Sequence, residues 1–198
     1  MNNYILASHN SWTFLPPKTW WQKLLKFTAR CQSLDIIGQY VTGATCFDLR
    51  IRWNAQGELV FAHGIIEYDY TAKQLAFTLD ILNDIAKEEK IYIRVIHECR
   101  TAKQIETSSR QNFHNFCLHL EDTYPNIRFF GGTNLYDAHR DFHFLCPDLT
   151  IDGKYSSVQP PRFLDDWFPW LYAKLNNHKN LQTGTDQQVL MIDFVNIK

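Results

Sequence analysis

Short apolar runs alternate along this chain with stretches whose apolar residues recur at helical spacing. Tyr4-Ile5-Leu6-Ala7 is too short for a helix and predicts a buried strand, with a polar loop from Ser8 onward. From Thr19 to Thr28, Trp20, Trp21, Leu24, Leu25 and Phe27 follow Pro16-Pro17, a pair that suits a helix start. A shorter helix is expected over Leu34 to Tyr40, ending near Gly43. Cys46 to Trp53 alternates as a strand, Asn54 to Gly57 is a turn, and Glu58 to His63 returns as a second strand, a hairpin-like pair. Thr71 to Lys87 puts Leu75, Leu79, Leu82 and Ala86 on one helical face, capped by Thr71. The β-branched run Ile91 to Ile96 predicts a strand. Ile105 to Asp122 predicts a helix with Phe113, Phe116, Cys117 and Leu120 on its apolar face. Further strands are expected at Ile127–Phe130, Phe142–Cys146 and Leu149–Ile151, then a helix over Phe163 to Asn176 and a last buried strand over Val189 to Val195.

Strands alternating with helices predict an α/β protein, and a barrel of parallel strands is its natural closure. With 198 residues the chain falls short of eight ordinary strand–helix units. The expected fold is therefore a small, irregular or incomplete TIM-type (β/α) barrel, a single domain over residues 1–198.

Composition narrows the function. A net charge of −1 argues against a surface built to coat nucleic acid. Aromatic residues reach 15%, with six Trp, which suits a tryptophan-rich core or a rim that meets sugar rings or a membrane interface. The five cysteines, Cys31, Cys46, Cys99, Cys117 and Cys146, form no CxxC pair and no zinc-like spacing, so they read as reduced and structural. No run approaches the roughly 18 apolar residues of a membrane span. MNNYILASHN reads as a strand running into a motif, with no signal peptide. A soluble monomer is expected, cytoplasmic or secreted after loss of a leader.

Three segments carry the chemistry: Ser8-His9-Asn10-Ser11, Phe47-Asp48-Leu49-Arg50 and Ala62-His63-Gly64. Each sets ionisable groups at or near a strand end, and in a barrel the C-terminal strand ends share one mouth. Histidine exchanges protons near neutrality, and arginine offers phosphate a planar fork that keeps its charge. Singly, a His at a strand end or an Asp-x-Arg alternation is more often structural. Their joint order and spacing is what points to phosphoryl chemistry.

Together, ASHNSWTF, TGATCFDLRIRW and GELVFAHG resemble the catalytic half of the bacterial phosphatidylinositol-specific phospholipase C family. The segments Glu89 to Glu98 and Leu190 to Asn196 are similar to later strands of that family. The resemblance implies His9 as general base oriented by Asp193, and His63 as general acid. It implies Arg50 as the neutraliser of phosphoryl charge, and Asp48 as the group that positions Arg50 or the attacking hydroxyl. Asn10, His97, Glu98, Asp152 and Tyr155 fall where the family lines its headgroup pocket, the Asp displaced by one position. Trp12, Trp20 and Trp21 fall where the family has an interface-binding helix. The implied substrate is a phospholipid or polyol phosphodiester, met at a transient membrane surface, with no nucleic acid, no cofactor and no metal.

Asn10 stands where the metal-free enzymes carry Asp, and an Asn there is a calcium ligand in metal-dependent relatives. Those relatives, however, have a carboxylate at the place of Arg50, whose charge substitutes for the ion. Calcium wants six or more oxygens, and Asn10 with Asp48 falls short. A glycerophosphodiester- or sphingomyelin-cleaving enzyme would need carboxylates soon after the first histidine, and none lies between His9 and Asp35. A catalytically weak polyol- or lipid-headgroup-binding module is the alternative from another class.

Overall fold

The computed structural model describes residues 5–54, 56–98, 108–133, 168–183 and 189–197. The elements are β1 (Ile5–Ser8), a 3-10 turn (Ser11–Phe14), α1 (Trp20–Ala29), α2 (Ile36–Val41), β2 (Cys46–Trp53), β3 (Leu59–His63), β4 (Ile66–Tyr68), α3 (Ala72–Ile85), β5 (Tyr92–His97), α4 (Ser108–Thr123), β6 (Arg128–Thr133), α5 (Pro169–Thr183) and β7 (Val189–Ile192). They agree with the sequence pattern at most boundaries, and the differences have local causes. Helix α1 begins at Trp20 with Thr19 as its cap, because Pro17 is drawn into an antiparallel bridge with Tyr68 instead of opening the helix. The brief strand β4 was not legible, since three residues carry too little alternation to register. Helix α5 runs on to Thr183, past the expected end at Asn176, and Phe168 lies outside it. The strands expected at 142–146 and 149–151 lie outside the described residues.

Five parallel strands run side by side in the order β7-β1-β2-β5-β6. The sheet forks at β2. Along one edge β2 pairs with β5 from Cys46 to Ile51; along the other it pairs with β1 only at Cys46 and Phe47, then antiparallel with β3 at Ile51 to Trp53. The hairpin β3–β4 thus takes the place of β1 along β2, and a gap opens between the two branches. With helices packed on the outside, this is a curled part-barrel of α/β class.

Side-chain alternation sorts the strands into two faces. Phe47, Leu49, Ile51, Ile93, Val95, Phe129, Leu190 and Ile192 point outward into the main core beneath the helices. Ala7, Cys46, Tyr92, Phe130 and Met191 point inward and form a small apolar plug. One step beyond the plug on the same face come His9, Asp48, Arg94 and Asp193. A one-residue register slip would exchange these groups with the core, so the packing of the outer face holds the inner one in place. Between β5 and β6 the backbones approach so closely that a Cβ on Gly131, at φ +146°, would lie 1.9 Å from the Val95 carbonyl oxygen. No other residue type fits there without moving the strand.

The helix starts follow their sequence signals. Thr71 and Gln74 form a reciprocal capping box at α3, and Asp35 accepts the Gly38 N–H at 2.7 Å to begin α2. Among the described residues, no helix is long and apolar enough to cross a membrane.

Candidate active site

His9 leaves the end of β1 where Asn10 turns into a left-handed conformation, φ 46°, which Asn tolerates better than most residues. That turn aims the Asn10 N–H at Asp48 Oδ2, 3.0 Å away, and sends the imidazole inward. The His9 ring is buried and held on both sides. Its Nδ1 lies 2.7 Å from Asp193 Oδ1, a carboxylate acceptor, so Nδ1 carries the proton. Its Nε2 receives Arg50 Nη2–H at 2.8 Å and the Asn10 amide Nδ2–H at 3.1 Å. Nε2 is therefore an unprotonated acceptor, the tautomer a general base requires. Burial first, and then the Arg50 charge, keep the pKa of His9 well below its ordinary value.

Arg50 comes from the middle of β2, and among the described residues its guanidinium donates to three side chains. Nε donates to Asp48 Oδ2 at 2.9 Å, Nη1 to Glu98 Oε2 at 3.2 Å, and Nη2 to His9. Asp48 also receives Arg94 Nη1–H at 3.2 Å. Burial alone would raise the Asp48 carboxyl, but the two guanidinium groups outweigh it and hold the carboxyl well below the usual carboxylate range. Asp48 thus stays ionised and tethers Arg50, Arg94 and the Asn10 backbone at once.

His63 ends β3 on the other branch. Its Nδ1–H donates to the Ala29 carbonyl at 3.0 Å, and its ring centroid is 6.0 Å from that of His9, with the planes at 79°. Burial and Arg50 lower its pKa, against an opposing pull from Glu98. Gly64 follows at φ +56°, and its N–H donates to Glu98 Oε1 at 2.9 Å. One carboxylate therefore links the arginine to the turn that presents the second histidine.

A cavity of about 260 Å³ opens beside the two rings, with Ala29, Cys31, Ile65, Pro169 and Asp193 in its wall. The Cys31 thiol lies 3.9 Å from His63 Nδ1 and receives the Asn10 amide at 3.6 Å. Burial, reinforced by the Asp193 charge, pushes its pKa well up, so it is a neutral thiol at rest. His9, Cys31 and Asp193 bring one donor atom each to within 4.8 Å of one another, the only such metal-competent cluster among the described residues.

The inward face thus brings His9, Asn10, Asp48, Arg50, His63, Glu98 and Asp193 together. Two expectations fail. His97 alternates to the outer face and stacks on Phe113 at 5.0 Å, edge-on to Trp53 at 5.7 Å. There it is buried and does not line the cavity beside the two catalytic candidates, and burial lowers its pKa to about 4. Trp12 is 3% exposed and packs on Phe61, so it belongs to the core and not to an interface. Asp152 and Tyr155 lie outside the described residues.

Trp20 (75% exposed), Trp21, Leu24 and Phe27 form an apolar stripe facing outward, while Gln22 and Ala29 are the buried residues of that helix. Phe168 stacks on Phe27 at 6.0 Å, and Trp170 is 50% exposed. The stripe borders the cavity, since Thr28 and Ala29 of α1 and Pro169 of α5 line it. Sequence reasoning missed Arg94, Cys31 and Trp170. Arg94 could have been found by counting in twos along Arg94-Val95-Ile96-His97-Glu98, which sets it on the face of Glu98 and opposite His97.

No family model matches the chain, and no curated protein matches it. Among solved structures it is similar to the phosphatidylinositol-specific phospholipase C of Listeria monocytogenes, at 17% identity and TM-score 0.60, over 96% of this chain and 87% of that one. The chain has the fold of the bacterial phosphatidylinositol-specific phospholipases C. A point mutant of the Staphylococcus aureus phospholipase C matches at 15% identity and TM-score 0.58, over 98% of this chain and 86% of that one. Over a double mutant of the same S. aureus phospholipase C the match is shorter, 67% of this chain and 49% of that chain. The phospholipase C fold accounts for the part-barrel.

Proposed function

We propose that this protein cleaves phosphatidylinositol or a related polyol phosphodiester through a cyclic phosphate, without a metal ion. The observation that carries the reading is the state of His9: Asp193 holds one ring nitrogen, and the other offers a lone pair already facing a hydrogen-bond donor. A substrate hydroxyl would take the place of Arg50 Nη2 as that donor and be deprotonated as it attacks phosphorus within the same molecule. The displaced guanidinium fork, still tethered by Asp48 and Glu98, would receive the phosphoryl oxygens as charge gathers there. His63, about one ring away across the cavity, would protonate the leaving lipid alkoxide. Water could then open the cyclic phosphate with the histidines in exchanged roles. The stripe on α1 would seat the cavity mouth at a lipid interface.

Phosphorus NMR of the purified protein with phosphatidylinositol in mixed micelles, with and without chelator, tests this. A cyclic inositol phosphate resonance that survives chelation is expected. Turnover lost on chelation would overturn metal independence, and no turnover with any polyol phosphodiester would leave the headgroup-binding module.

A further inference from the structure

Nothing in the acid–base scheme uses a thiol, yet Cys31 stands in the middle of it. Its placement is firm. The Cys31 N–H donates to Thr13 Oγ1 at 2.9 Å, and its carbonyl accepts the N–H of Phe194, the residue after Asp193, at 2.6 Å. Next to it, the Gln32 side chain donates to the His9 and Ile192 carbonyls, both at 3.1 Å, and accepts the Val195 N–H at 3.1 Å. The segment Cys31-Gln32 is stitched to the ends of β1 and β7, so thiol, imidazole and carboxylate are fixed relative to one another. Asn10 completes the wall: it is buried, its amide nitrogen touches both His9 and Cys31, and its Oδ1 has no hydrogen-bond partner among the described residues.

We infer that His9, Cys31 and Asp193 form a zinc site that holds the catalytic base out of the reaction. A nitrogen, a sulfur and a carboxylate oxygen are zinc ligands and a poor set for calcium or magnesium, which take oxygen. Bonds of about 2.0 to 2.3 Å to a tetrahedral ion set its donors roughly 3.3 to 3.6 Å apart, so a cluster already within 4.8 Å closes with small side-chain rotations. The ion would take the place of the proton on His9 Nδ1, the imidazole staying neutral with its proton moved to Nε2, and would displace the thiol proton of Cys31 to solvent. It would break the hydrogen bond between His9 and Asp193, and its fourth position would face the cavity. The loss of turnover rests on the phosphodiesterase reading above; the binding of the ion does not.

The test is a titration of the intact protein with Co²⁺, the spectroscopic stand-in for zinc, followed by Zn²⁺ competition against a chromophoric chelator. One equivalent should bind, with visible bands of a tetrahedral ion and a near-ultraviolet sulfur-to-cobalt band. Cys31→Ser should abolish the sulfur band and weaken Zn²⁺ binding by about 100-fold, the upper end of what even an outer partner is worth. Cys117→Ala, which removes a buried thiol from α4, should change neither. If Cys31→Ser fails to fold by circular dichroism, Asp193→Asn should weaken the ion by a similar factor while keeping the sulfur band. A sulfur band that persists in Cys31→Ser, or no binding below millimolar metal, overturns the site. Zinc bound without any phosphodiesterase activity would sink only the enzymatic reading, and activity indifferent to zinc only this one.

Discussion

The two histidines differ in how they are held, although they share one cavity. His9 sits where β1, β2 and β7 meet, with a partner on each ring nitrogen and its own backbone bound to Ile192 and Gln32. His63 hangs at the tip of the antiparallel hairpin, partly exposed, with its Nδ1–H on a single carbonyl and its surroundings charged through Glu98. The first arrangement fixes a tautomer and a direction. The second fixes a position and leaves the protonation state to the balance of Arg50 and Glu98. A base has to be ready before substrate arrives, whereas an acid need only hold its proton until the leaving group appears.

The widest test of that contrast is truncation of each ring. His9→Ala should lower kcat/KM on phosphatidylinositol by about 10³-fold or more, and His63→Ala by closer to about 10², measured at each variant's own optimal pH. Equal losses would mean that the bracing of His9 confers nothing. Next comes Arg50→Lys, which keeps the charge and loses the fork. We expect a fall of about 10² in kcat with Asp48 left half-satisfied, and an unchanged kcat would remove the guanidinium from the transition state.

The third test uses pH. Both histidines have lowered pKa values, so kcat/KM should peak on the acid side of histidine's ordinary value. It should fall as pH rises through the His63 pKa, and fall again as pH drops through that of His9. Glu98→Gln removes a charge that raises His63, so it should move the alkaline limb to lower pH and leave the acid limb nearly in place. Movement of the acid limb instead would exchange the two roles. The same shifts make folding stability complete above the unfolded histidine pKa of about 6.5, and lost progressively as pH falls below it, because the unfolded chain then binds more protons. The smallest effect lies at the rim. The pair Trp20→Ala with Trp21→Ala should reduce vesicle partitioning by about tenfold without altering turnover of a water-soluble substrate. Unchanged partitioning would remove the membrane contact of α1.

Much of this was legible because strand-end chemistry and strand periodicity are local. The helix α3 begins where Thr71 and Gln74 say it should, and Asp48 and Arg50 share a face because they are two residues apart. What was not legible depends on distance in sequence or on facing. His97 read as a pocket residue until pairing across β5 fixed which face it took. The spacing of α1 was clear, but not that its apolar stripe faces outward, since an apolar stripe at helical spacing looks the same whether it meets a core or a lipid. Cys31 carried no motif at all. It enters the site through Thr13 and Phe194, neighbours that only the fold supplies.

The pairing of β1 with β7 has a consequence in time. His9 and Asp193 lie 184 residues apart, and the strands that join them run from Ile5 against Val189 to Ser8 against Ile192. Closing so long a loop carries a large entropic cost before any contact repays it, and folds dominated by such contacts form slowly. During synthesis His9 emerges 184 residues ahead of Asp193. A nascent chain therefore carries an imidazole with no orienting carboxylate until β7 has been made and meets β1. The dyad is then a record of complete folding: its hydrogen bond cannot exist in a chain that has not closed β7 onto β1.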